Sequence, residues 1–261
     1  MRAGRYLVVG LAAVLLCGAV AVAAQEGSDR PRSGLDFVSP ETRAMQAEDT
    51  ANPGMLWVED GKRLWAAPAG PDGRSCASCH GEAAKSMRGV AARYPAFDAH
   101  RRRPVDLQGR VNSCRQDQQG AAPLPTESDD LLALTAYVAH QSRGLPIAPP
   151  SDPRLTPHIE NGRRLYEQRM GQLDLSCAAC HDALAGRRLS GSLIPQAHPT
   201  AYPLYRLEWQ TVGSLQRRFR NCMIGVRAEP FDYGAPEFVD LELYLMSRAR
   251  GLPVETPGVR P

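Results

Sequence analysis

The sequence has no marked charge excess: 31 Lys and Arg stand against 28 Asp and Glu, a formal net charge of +3. So even a balance offers no electrostatic footprint for a phosphate backbone, and nucleic-acid binding is not expected. It also has no apolar run suited to a stable membrane anchor. The run from Tyr6 to Val22 follows Arg2 and Arg5 and leads into Ala21-Val22-Ala23, the order of a cleavable secretory signal. Residues 1–24 are therefore expected to be a signal peptide that sends the chain to the periplasm, an oxidising compartment. Cys17 lies inside it, but bulky Leu16 stands where a lipid-attachment site needs a small residue. About 240 residues then remain, enough for two small domains. No βαβ pattern surrounds any cysteine pair, which argues against a thioredoxin-like role.

What the sequence does have is cysteines in pattern. Four of the six left after cleavage form two C-x-x-C-H motifs, Cys76-Ala77-Ser78-Cys79-His80 and Cys177-Ala178-Ala179-Cys180-His181. This is the attachment sequence of a c-type haem. Two thiols three positions apart reach the two vinyl groups of one porphyrin, and the adjacent histidine meets the iron from one face. Two covalently bound haem c groups are expected, held by Cys76 and Cys79 and by Cys177 and Cys180, with His80 and His181 as axial ligands. Zinc shared between the pairs is the bland alternative. It suits poorly two pairs far apart in an exported chain, each followed directly by histidine.

Each motif belongs to an internal repeat. Gly61-Lys62-Arg63-Leu64-Trp65 and Gly162-Arg163-Arg164-Leu165-Tyr166 precede their motifs at one spacing. Leu107-Gln108 and Arg110 lead to Cys114 as Leu215-Gln216 and Arg218 lead to Cys222, and both halves close in Arg-Gly-Leu-Pro. Two copies indicate tandem domains rather than a solenoid. The fold class expected is mainly α, a tandem duplication of two cytochrome c-like haem domains with long loops. A polar N-terminal arm covers 25–50, the first domain 51–148 and the second domain 149–261, with Pro146 to Pro150 as linker. Helices are expected over Met55–Ala66 and Pro157–Arg169, and a short one around each lone cysteine. The closing helix is capped by Thr126 or Ser128 and has Leu131, Leu134 and Val138 on one face, repeated later by Phe238, Leu241 and Leu245. The Gly-, Pro- and Arg-rich stretches after each motif read mostly as loop.

Cys114 and Cys222 are left over. Two spare cysteines in an exported protein often form a disulfide, but equivalent positions in two repeats favour equivalent tasks, here the second axial ligand of each haem. His100 and His198 offer a bis-His alternative. Met223 has Arg115 as its counterpart, and Met87 follows His80 too closely to reach the opposite face. A thiolate ligand lowers the reduction potential, and axial ligands move haem potentials over about 0.8 V. It is also a sulfur nucleophile. Arg218, one helical turn before Cys222, supplies donors suited to a sulfonate or sulfate.

On these residues, and on the run from Arg218 to Glu229 with its Cys-x-x-x-Val-Arg-x-Glu signature, the chain resembles the SoxA family, dihaem subunits of the SoxAX cytochromes of bacterial thiosulfate oxidation. The resemblance spans nearly all of the chain after the signal. It implies an L-cysteine S-thiosulfotransferase, which conjugates thiosulfate oxidatively to a cysteine of the carrier SoxYZ. Electrons pass through haem to a SoxX subunit, its partner in a heterodimer, and on to an acceptor cytochrome c. It implies His/Cys ligation of both haems, through His80 with Cys114 and His181 with Cys222. Cys222 is then the catalytic residue, carried as a persulfide, and Arg218 the active-site arginine, with Arg227 as a second candidate. Two other readings stay open: a dihaem thiosulfate dehydrogenase forming tetrathionate, and a non-catalytic electron-transfer cytochrome.

Overall fold

The computed structural model describes residues 30–261; the expected signal peptide, with Cys17, lies outside the described residues. The elements run α1 (Pro40–Ala47), α2 (Met55–Ala66), α3 (Cys76–His80), α4 (Ala83–Ser86), β1 (Ala96–Asp98), β2 (Arg103–Val105), α5 (Leu107–Gln119) and α6 (Asp129–His140). They continue as α7 (Thr156–Glu167), α8 (Cys177–His181), β3 (Arg188–Leu189), β4 (Ser192–Leu193), β5 (Leu204–Arg206), β6 (Thr211–Gly213), α9 (Leu215–Gly225), α10 (Pro236–Arg248) and β7 (Gly258–Arg260). No helix among the described residues is long and apolar enough to cross a membrane.

Each half is built on one close helix crossing. A Cβ placed on Gly61 would meet the backbone of α6, and one on Gly162 the backbone of α10. Glycine therefore opens the repeated Gly-x-x-Leu-aromatic motif, because α2 and α7 must lie directly on their partner helices. The aromatic residue that ends the motif holds the residue after the motif histidine. Trp65 Nε1 donates to the Gly81 carbonyl at 3.0 Å, and Tyr166 donates its hydroxyl to Asp182 at 2.8 Å. Ser128, not Thr126, caps α6 by accepting from Leu131 N, and the expected apolar faces of α6 and α10 are buried. Helix α7 stops at Glu167, short of the expected Arg169, because Gln168 turns extended.

The stretches expected as loop hold short strands. A cis Tyr-Pro bond, Tyr94-Pro95 or Tyr202-Pro203, precedes a hairpin in each half. The registers match, with Asp98 opposite Arg103 in β1–β2 and Arg206 opposite Thr211 in β5–β6. Each hairpin feeds a capped helix that carries a lone cysteine. Asp106 accepts from Gly109 N to start α5, and Ser214 accepts from Arg217 N to start α9. In the second half β7 adds to β5 in parallel, and the short β3–β4 hairpin has no counterpart in the first.

The segment expected as a linker is part of a shared core. Ile147 is 1% exposed and packs with Ala92 of the first half and Met246, Ala249 and Val254 of the second. Its amide donates to Leu252 O at 2.8 Å, Gly251 N donates back to Ile147 O at 2.9 Å, and Ala148 N donates to Ala92 O at 2.8 Å. The N-terminal segment packs on the second half, where Gln46 Oε1 accepts from Val259 N at 2.9 Å. Residues Pro31–Pro261 form one unit.

Candidate functional site

Ser176 caps α8 by accepting from Ala179 N, which sets Cys177, Cys180 and His181 on one short helix. His181 Nδ1 lies 2.7 Å from the Pro195 carbonyl oxygen. A carbonyl only accepts, so Nδ1 carries the proton and Nε2 is left as a ligand atom. Helix α9 brings Arg218 and Cys222 to this place one turn apart, with the Cys222 thiol close enough to the His181 imidazole for the ring to favour its thiolate.

The two lone cysteines differ electrostatically. Burial pushes the Cys222 thiol up, but the nearby His181 ring and the positive charges of Arg218 and Arg206 outweigh it, so its pKa lies below the ordinary value. Burial also dominates at Cys114, and there the nearby Arg110 does not overcome it, so that thiol is raised. Cys177 is pushed up to about 12 by burial and by neighbouring Cys222. Cys222 alone of the two lone cysteines is held towards its thiolate, the form that binds metal and attacks sulfur.

Each lone cysteine stands with the motif of its own half. Cys114 is close enough to Cys76 and Cys79 to feel their charge, as Cys222 is to Cys177. No disulfide joins the cysteines of the described residues, so Cys114 and Cys222 are not bonded to each other. Among the described residues no three His, Cys, Asp or Glu side chains converge as a metal site, so the two C-x-x-C pairs are not joined around one ion. His100 lies in the β1–β2 turn and His198 ahead of the cis Tyr202-Pro203 bond, so they are not equivalent positions. His198 Nδ1 is instead 2.8 Å from the Arg32 carbonyl oxygen. The donor set fits haem c. Paired thiols and a histidine with free Nε2 share α8, a lone cysteine faces them from α9, and Tyr166, Phe219, Met223 and Phe231 form an apolar wall around Cys177 and Ala178.

The guanidinium of Arg218 makes no hydrogen bond or ion pair among the described residues; its electrostatic neighbours are Cys222, Tyr202 and Glu208. A second guanidinium, that of Arg206 on β5, adds to the positive field on Cys222. Its Nη2 donates to Glu208 Oε2 at 2.9 Å, while its Nε is buried with no partner among the described residues. The sequence reading does not pick out Arg206. The signal for it is the repeated Tyr-Pro dipeptide, which aligns the two hairpins.

The family model for the SoxA/TsdA cytochrome c domain matches residues 60–147 and again residues 161–254, once in each half. The L-cysteine S-thiosulfotransferase subunit SoxA of Pseudaminobacter salicylatoxidans is 41% identical over 91% of this chain and 84% of its own length. The chain belongs to the SoxA family. The SoxA subunit of Rhodovulum sulfidophilum is 37% identical over 89% of this chain and 81% of its own. The crystal structure of SoxXA from P. pantotrophus superimposes with a TM-score of 0.85 at 35% identity, covering 88% of this chain and 87% of that one.

Membership of the SoxA family makes covalently bound haem c the prosthetic group of the chain and the tandem cytochrome c-like architecture its fold. The SoxA-like signature after Cys222 forms the exit from α9. Val226 caps the helix, and Arg227 takes a left-handed backbone, φ 59°, with its carbonyl accepting from Gln172 N at 3.3 Å. The Arg227 side chain is exposed, and the arginines whose charge reaches Cys222 are Arg218 and Arg206.

Proposed function

We propose that the chain is the dihaem subunit of a periplasmic L-cysteine S-thiosulfotransferase, which joins thiosulfate to a cysteine of a SoxYZ-type carrier. The observation that supports this reading is the nearness of Cys222 to His181, with Arg218 one turn away on α9 and its guanidinium unpaired among the described residues. In this reading Cys222 supplies the thiolate, His181 an iron ligand and Arg218 the anion-binding group. The names of the curated relatives support the activity, and the SoxXA structure supports a SoxX-type monohaem cytochrome as partner in a heterodimer.

Two haem c groups are assigned, one to Cys76, Cys79, His80 and Cys114 and one to Cys177, Cys180, His181 and Cys222, in domains spanning 51–148 and 149–261. Bound there, haem supplies the one-electron acceptance that a sulfur oxidation needs. The protein's own residues do the rest. Arg218 binds and orients the sulfonate end of thiosulfate. Cys222 presents a sulfur nucleophile, the site of a persulfide in this reading, and the Pro195 carbonyl fixes the His181 ring that faces it. In the net reaction the carrier thiol sulfur bonds to the sulfane sulfur of thiosulfate. One proton and two electrons are released and the bond to the sulfonate sulfur is kept. The electrons leave through the SoxX-type subunit to an acceptor cytochrome c.

A plain electron carrier leaves Arg218 without a task, and nothing in the site favours tetrathionate formation. Mass spectrometry separates the readings. The holo-complex, with thiosulfate, carrier and oxidised cytochrome c, is expected to leave a thiosulfonate adduct on the carrier cysteine. Tetrathionate with an unmodified carrier would move the reading to a thiosulfate dehydrogenase.

A further inference from the structure

The two halves share a hairpin and a cysteine-bearing helix in one register, so their side chains can be compared place by place. Tyr94 corresponds to Tyr202, Arg110 to Arg218 and Cys114 to Cys222, all at one constant offset along the chain. At that offset Asp98, the last residue of β1, corresponds to Arg206, the last residue of β5. The repeat thus keeps the arginine beside the lone cysteine and reverses the charge that faces it.

In the first half the arginine is satisfied from within. Arg110 Nη2 lies 3.4 Å from Asp98 Oδ2, and its Nε donates to the Tyr94 hydroxyl at 3.2 Å. Asp98 is 3% exposed and held in place by the His100 and Arg101 amides, each donating to Oδ1 at 2.9 Å. In the second half no carboxylate takes that place. The Arg206 side chain is 13% exposed, and its carboxylate neighbour Glu208 is 65% exposed, so solvent screens that pair. Arg260, opposite Arg206 in the β5–β7 pair, is itself paired with Glu255 at 3.4 Å, so that carboxylate is already engaged. Two guanidiniums with unused donors therefore lie beside Cys222, whereas beside Cys114 the buried Asp98 carboxylate pairs with both Arg110 and Arg101, and Arg101 has Asp117 as a second counterion. Like charges gathered in a partly buried site are stable when an anion lies between them.

We infer that Arg206 is a second substrate-binding arginine, which with Arg218 grips the doubly charged thiosulfate beside Cys222, and that Asp98 closes the equivalent place in the first half to anions. This rests on the thiosulfotransferase reading and adds to it the residue that decides which half accepts substrate. Thiosulfate carries two charges, and two forked donors match it where one leaves a charge uncompensated.

The test uses the holo-complex with Arg206→Asp, which copies the first half, Arg206→Gln, and Arg206→Lys, which keeps the charge. Equilibrium dialysis with radiolabelled thiosulfate reads the anion site directly, and the carrier-conjugation assay reads KM and kcat. Arg206→Asp and Arg206→Gln are expected to weaken thiosulfate binding and raise KM by about tenfold or more, with a much smaller change in kcat and unchanged haem spectra. Arg206→Lys is expected to restore most of the affinity. Should Arg206→Asp fail to fold, Arg206→Gln is judged by the same criteria. Binding and KM within twofold of the unaltered protein would overturn the assignment, as would a lowered kcat at unchanged KM. A shifted haem potential with intact thiosulfate binding would give Arg206 to a haem propionate instead, and overturn it too. If the unaltered complex binds thiosulfate through Arg206 but conjugates none, the function fails and the anion site stands.

Discussion

The Cα of Gly61 lies so close to the carbonyl oxygen of Ala133 that a methyl group on it would sit 2.1 Å away; Gly162 stands in the same relation to Asp240, also at 2.1 Å. Backbone cannot yield as a side chain can. Gly61→Ala and Gly162→Ala are each expected to cost about 1–3 kcal/mol through overpacking, with a melting temperature lower by roughly 2–4 °C per kcal/mol for a chain of this size. Gly191→Ala, where a Cβ meets nothing within 4 Å, is the control and should melt like the unaltered protein. Equal melting of all three by circular dichroism would remove the close crossing as the reason for the repeated glycine.

Ile147 tests the join between the halves. Truncation to alanine empties a site that is 1% exposed and lined from both sides. A loss of about 2–5 kcal/mol is expected, read as a lower urea midpoint. An unchanged midpoint would show that the halves do not depend on this contact.

Acid should destabilise the chain by charging two partly buried histidines. His140 Nδ1 lies 3.3 Å from Thr256 O, and burial, opposed by that hydrogen bond, lowers its pKa; His198 is lowered for the same reason. A folded pKa below the unfolded one means that the unfolded chain binds more protons on acidification. The stability is thus full above about pH 6.5 and drains as pH falls from there towards the folded values. Burial raises the carboxyls of Asp106 and Glu242, which act in the opposite direction, so the reading is a difference. Replacing both histidines by glutamine should reduce the fall in melting temperature between about pH 7 and 5. An identical slope in the variant would remove them as the cause.

The lone cysteines should separate in function. Cys222→Met is expected to lower carrier conjugation by roughly three orders of magnitude or more and to abolish one thiolate-type low-spin signal. Cys114→Met should alter the other signal while keeping conjugation within about threefold. Conjugation that survives in Cys222→Met would undo the placement of the chemistry.

How far the molecule is legible from sequence depends on the length over which a pattern repeats. The 12 residues of α2 hold several helical turns, so Gly61, Leu64 and Trp65 announce their face. Strand β5 has 3 residues, too few for an alternation, and its pairing comes from β6 and from distant β7. The thiols are legible because covalent haem attachment tolerates a single spacing. Arg206 is hidden twice, on a strand too short to read and at a place where the repeat differs. A search for likeness between the copies finds Arg110 and Arg218 and passes over Asp98 and Arg206. Ile147 sits among prolines that suggest a linker, and only the tertiary packing shows it as core.

The core that Ile147 and Ala92 share with Met246, Ala249 and Val254 separates what this duplicated chain can lose from what it must keep. On the proposed assignment, loss of Cys76, Cys79 and Cys114 would remove one haem and still leave the wall against which α10 rests. Discarding the polypeptide around Ala92 and Ile147 strips that wall and exposes the end of the helix packed on the reactive half. The first half is thus an inseparable buttress for the second, and its contribution to the fold is independent of whatever cofactor it holds.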